Sequence, residues 1–73
     1  MMTKERYDDV HDLYVMCKAL KKENRLNSEK IKALCYAVFG VRPGKCMIGY
    51  NMLRDVWTIR ICMEEADLVD LEV

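Results

Sequence analysis

Proline occurs once in these 73 residues, as Pro43, and glycine three times. That scarcity leaves Gly44, between Arg42 and Lys45, far short of the glycine-rich loop that cradles phosphate. Histidine occurs once, as His11, so no Ser-His-Asp or Cys-His order can be read. The four cysteines, Cys17, Cys35, Cys46 and Cys62, are scattered singly with no C-x-x-C pair. Zinc sites favour close ligand pairs, and disulfides favour export, so free buried thiols are expected. No apolar run approaches the ~20 residues that cross a bilayer. The opening MMTKERYDDV has no stretch of signal-peptide type. These absences point to a cytoplasmic, non-catalytic protein without metal, small-molecule cofactor or membrane contact.

What is present is a high apolar fraction, 52%, beside 33% charged residues. The balance is too hydrophobic for disorder and too charged for a membrane span. A single small globular domain over residues 1–73 is expected. A domain of this size buries only about 60% of the surface its unfolded chain exposes, so its core is marginal. A second copy of the chain is one common remedy.

Net charge is zero, with twelve basic and twelve acidic residues, but the signs are segregated. Six bases lie between Cys17 and Lys32, and five acids with no base lie between Ile61 and Val73. Nucleic-acid-binding domains normally carry net positive charge, because phosphate neutralisation supplies most of their affinity. Overall neutrality counts against that class.

Residues 3–24 read as a helix, with Thr3 as N-cap and Tyr7, Val10, Tyr14 and Cys17 recurring at spacings of three and four. Acids early and lysines late complement the helix dipole. Within it LYVMC, Leu13–Cys17, is apolar on more than one side of the cylinder. Either the helix is wrapped by the rest of the chain, or Tyr14, Val15 and Met16 form a partner face. A second helix, RLNSEKIKALCYAVFG, has Asn27 or Ser28 as N-cap. Leu26 and Ile31 form a hydrophobic staple, Ile31, Leu34, Cys35 and Val38 the buried stripe, and Gly40 the left-handed C-cap. Pro43-Gly44 then fits a type II turn.

From Lys45 to Asp55 two periods compete. Cys46, Tyr50, Leu53 and Trp57 recur as on a helix, although Gly49 weakens one, and a third short helix is expected in preference to a strand. From Val56 the period is two: Trp57, Ile59, Ile61 and Met63 alternate with Thr58, Arg60, Cys62 and Glu64. LVDLEV alternates again. Pairing Trp57 with Val73, Ile59 with Leu71 and Ile61 with Val69 matches apolar to apolar, and sets Thr58 against Glu72 and Arg60 against Asp70. That register needs a loop of three residues, Glu64–Ala66, or five, Met63–Asp67. The fold class is α+β: two or three N-terminal helices, then a C-terminal antiparallel β-hairpin with its tryptophan face on the helices.

Two functions follow. The first is a small protein-interaction module, a homodimer or an inhibitor that occupies a partner's surface. Its contacts would be Tyr14, Val15 and Met16 with the acidic rim Glu64, Glu65, Asp67, Asp70 and Glu72, the acids steering a basic partner. The size and lack of motifs suit an accessory protein of a phage or mobile element. The second is a winged-helix-like DNA-binding regulator. There Arg42, Lys45 and Arg54 would meet phosphate and Tyr50 or Asn51 would lie near bases. The acidic wing tip MEEAD opposes it, and the first reading is preferred.

Overall fold

The α+β class holds in the computed structural model, with one strand more than the expected hairpin. The structure describes residues 4–64 and 67–73. Thr3, Glu65 and Ala66 lie outside the described residues, and Glu64 and Asp67 enter through their backbone alone. Helices α1 (Lys4–Lys22) and α2 (Ser28–Phe39) are followed by a 3₁₀ turn (Pro43–Lys45) and strands β1 (Cys46–Asn51), β2 (Val56–Glu64) and β3 (Asp67–Glu72). The strands form one antiparallel sheet in the order β1-β2-β3.

Helix α1 stops where Asn24 adopts the left-handed conformation, φ 59°. Asn24 N–H donates to Lys21 O at 2.9 Å and Arg25 N–H to Leu20 O at 2.8 Å. These two bonds make a Schellman cap with asparagine in the place glycine usually takes. A β-branched residue tolerates that φ poorly, so Asn24→Val is expected to cost ~1–2 kcal/mol and Asn24→Gly to stay near the wild type. Urea denaturation of both variants checks this. Helix α2 has the expected punctuation. Asn27 Oδ1 accepts Lys30 N–H at 2.9 Å, and Gly40 closes it at φ 69°.

The core joins Leu13 and Cys17 of α1, Ile31 and Cys35 of α2, Val41, Cys46 of β1, Ile59 and Ile61 of β2, Val69 of β3, and Val73. Leu26, Leu34, Trp57 and Met63 pack around it, half-buried. The buried face of α1 is therefore centred on Leu13 and Cys17, and Tyr7 and Tyr14, expected in the stripe, are exposed. All the apolar partners anticipated between β2 and β3 meet. Ile59 faces Leu71, Ile61 faces Val69, Arg60 faces Asp70, and Trp57 exchanges both backbone bonds with Val73 at 2.8 Å.

Three local expectations are corrected. The segment from Cys46 is not a third helix but strand β1, paired with β2 from Cys46↔Ile61 to Asn51↔Val56. Pro43-Gly44 is not a type II turn, which needs positive φ at the glycine. It belongs to one 3₁₀ turn closed by Lys45 N–H on Arg42 O at 2.9 Å, and Gly40 is the one positive-φ glycine among the described residues. The β2–β3 connection is shorter than either expected loop. Glu64 pairs with Asp67, and the register shifts between Cys62 and Glu64, leaving Met63 as an extra residue. This bulge keeps Ile59 and Ile61 facing inward although the connection is even-numbered.

Candidate interaction site

The β1–β2 turn displays two large apolar side chains almost completely to solvent. Met52 is 82% exposed and Leu53 98%. The turn is nevertheless braced at both ends. Asn51 Oδ1 accepts Leu53 N–H at 3.0 Å and Arg54 N–H at 3.2 Å, which folds the backbone over the asparagine side chain. Asp55 takes the left-handed conformation, φ 52°, and its Oδ1 accepts the Tyr50 hydroxyl at 2.7 Å. That bond is the main reason the Tyr50 phenol is pushed above its ordinary range. Tyr50 also lies against Trp57, ring centroids 4.7 Å apart and planes tilted by 40°. From α1, Lys21 Nζ donates to the Asp55 carbonyl and, at 3.2 Å, to the Val73 backbone oxygen. One ammonium thus ties the helix end, the turn and the last strand together.

Beside the turn lies the free edge of β1. Because Trp57 spends both backbone groups on Val73, its neighbours Val56 and Thr58 face β1, bonding Asn51 and Gly49. The backbone groups of Cys46, Ile48 and Tyr50 therefore point outward, and among the described residues they make no other backbone hydrogen bond. On the outer sheet face Met47 is 54% exposed. Gly49, on the same face, leaves an open groove of about 480 Å³ bounded by Tyr50, Met52, Leu53 and Thr58. At the opposite end of β1 a second hollow of about 590 Å³ is walled by Phe39, Val41, Arg42, Gly44, Lys45 and Met63.

The residues singled out from sequence are scattered over this frame. Tyr14, Val15 and Met16 are all exposed on α1 while Leu13 and Cys17 point inward, so LYVMC is buried on one side only. Asp70 and Glu72 lie on the outer sheet face, and Glu72 borders an open hollow of about 230 Å³ shared with Tyr7, His11 and Tyr14 of α1, but neither acid is free. Arg60 Nη2 holds Asp70 at 3.0 Å and Arg54 Nη2 reaches Glu72 at 3.4 Å. Both pairs are exposed, so each contributes little stability, but they neutralise the expected rim. Glu64 and Asp67 pair through their backbone at the hairpin tip, and Glu65 lies outside the described residues.

The nucleic-acid set is also divided. Arg42 and Lys45 flank the start of β1, whereas Tyr50, Asn51 and Arg54 lie at its far end, each already engaged by Asp55, the turn backbone or Glu72. The expected recognition helix is a strand and a turn. Met52 has no place in the sequence reading, and Leu53 enters it only through the helical count, not as a contact residue. The available signal was their bracketing by Asn51 and Asp55, the residue types that stabilise turns and tolerate left-handed backbone.

Cys17, Cys35 and Cys46 are buried free thiols where the two helices meet β1, and Cys62 is half-buried. Burial pushes Cys17 up to about 11. Burial, with Cys46 and Cys17 adjacent, pushes Cys35 up to about 12. Cys17 and Cys35 are therefore protonated, inert side chains at neutral pH. Among the described residues no cluster of His, Cys, Asp or Glu is placed to hold a metal ion, and no helix is long and apolar enough to cross a membrane. Compared with known proteins, the chain matches no family model, no curated protein and no solved structure.

Proposed function

We propose that this chain is a non-catalytic protein-interaction module that acts by occupying a partner protein's surface. The observation that carries the reading is the braced turn holding Met52 and Leu53 in solvent. Burying a leucine side chain is worth ~1.5–3 kcal/mol. A pre-ordered turn gives up little conformational freedom when it docks. The exposed Tyr14, Val15 and Met16 supply a second apolar surface on another side of the molecule. The paired states of Asp70 and Glu72 make the turn, rather than an acidic rim, the primary contact.

The test is the double variant Met52→Ser/Leu53→Ser. Both side chains sit outside the core, so its thermal unfolding at low protein concentration is expected to stay within ~0.5 kcal/mol of the wild type. Proteins cross-linked to the wild-type chain in its native host, identified by mass spectrometry, are expected to fall at least tenfold in yield with the variant. Equal yield from both chains would show that the turn is not a docking element.

A further inference from the structure

We propose that the partner seated on the β1 edge is a second copy of this chain, paired antiparallel about a two-fold axis through Ile48. The inference rests on the interaction reading above and names the occupant of that surface. Its starting point is the chemistry of the edge. CMIGYN carries no charge, no proline and no bulge, the devices that normally blunt an exposed strand. The other edge is protected. In β3 the alternation set by the Trp57–Val73 pair turns Leu68, Asp70 and Glu72 outward. Self-pairing there about Asp70 would set the two Asp70 carboxylates side by side.

Only Cys46, Ile48 and Tyr50 present outward backbone groups on β1. An axis at Ile48 is the one choice that uses all three. Cys46 then pairs with the second copy's Tyr50, Ile48 with its own equivalent, and Tyr50 with the second copy's Cys46. A shift of the axis to Met47 or Gly49 leaves one of the three unmatched. The same axis sets the exposed Met47 opposite the second copy's Gly49, where a missing side chain leaves the open groove and an added Cβ would meet nothing within 4 Å. It also carries the Met52–Leu53 turn toward the second copy's hollow beside Phe39 and Val41, at the far end of β1. A standard interface takes about 800 Å² from each partner. A six-residue edge is only a strip ~20 Å long, so the pairing needs the two turn-and-hollow contacts beside it. The side chain, the gap it fills, the turn and the hollow all belong to one chain, which is the self-complementarity a two-fold interface requires.

Sedimentation velocity of the wild type is expected to show a dimer in the micromolar range. Met47→Lys, which places a charge on the edge at an exposed position, is expected to weaken dimerisation at least tenfold without lowering the urea midpoint at low concentration. Register is read by cross-linking in a Cys62→Ser background. Met47 and the second copy's Gly49 form a non-hydrogen-bonded pair, Cα atoms ~4.5 Å apart, within disulfide reach. A mixture of Met47→Cys and Gly49→Cys chains should therefore oxidise to a disulfide-linked dimer, and neither variant alone should. A wild type that stays monomeric up to ~100 µM, well above micromolar affinity, overturns the pairing. So does cross-linking of Met47→Cys with itself as efficient as in the mixture. A monomer whose Met52→Ser/Leu53→Ser variant still loses its cross-linked partner sinks this inference alone. A dimer that still forms the Met47–Gly49 disulfide but whose partner yield is unaffected by that variant sinks the proposed function and leaves the strand pairing standing.

Discussion

Ile59→Ala is expected to lower stability by ~2–5 kcal/mol, about half of what a chain of this size possesses. Folded domains hold ~0.05–0.15 kcal/mol per residue, which for 73 residues is ~4–11 kcal/mol. Ile59 is fully buried on the central strand, with Ile48 beside it on β1 and Leu71 on β3. Truncation there opens a cavity on the face that the helices cover, and the flanking strands cannot close it without losing their own pairing. Arg60→Ala, one residue along and on the open face, removes an exposed ion pair and should cost no more than ~1 kcal/mol. Urea midpoints of the two variants separate the faces. A cost below ~1 kcal/mol for Ile59→Ala would mean that β2 is not the centre of the packed layer.

The second large effect is alkaline. The thiols of Cys17 and Cys35 stand at about 11 and about 12 in the folded chain, against an ordinary value of 9.0. A raised folded value means that the unfolded chain loses these protons first. Their protonated burial is fully favourable below pH ~9, and the advantage is lost as pH rises through the folded values. Each thiol that is protonated when folded and ionised when unfolded tilts stability by ~1.4 kcal/mol per pH unit across that window. The melting temperature should therefore fall steeply from pH 9 toward pH 11, while changing little between pH 7 and 8.5 on account of these groups. In Cys17→Ala/Cys35→Ala the starting stability is lower but the alkaline fall is shallower. An identical slope in the double variant would assign the fall to other groups.

The β2–β3 register was legible because alternation forbids a one-residue slip, which would set Ile59 against an acid, and the observed pairing also sets Arg60 against Asp70. The caps of α2 were legible because asparagine before the helix and glycine after it each act through a local backbone requirement. Strand β1 was hidden by arithmetic. Cys46 and Tyr50 are four residues apart, a spacing that puts two side chains on one face of a helix and equally on one face of a strand. Leu53 and Trp57 continued the helical count by coincidence, one lying in the turn and the other on β2. What decided the matter is tertiary, since the central strand had an unpaired side and β1 supplied it. Leu53 was hidden for a related reason. A leucine in a sequence reads as core, and only the path of the chain shows that this one has nothing above it.

The meander has a kinetic consequence. Each strand bonds to the one that follows it along the chain, and the turn joining the first two is stabilised by its own asparagine. Loops closed this way are short, so contact order in the sheet is low and little chain entropy is spent before the first favourable contacts form. Isolated hairpins zip within ~1–10 µs. The long closures lie elsewhere: Lys21 of the N-terminal helix reaches backbone oxygens 34 and 52 residues along the chain, at Asp55 and Val73.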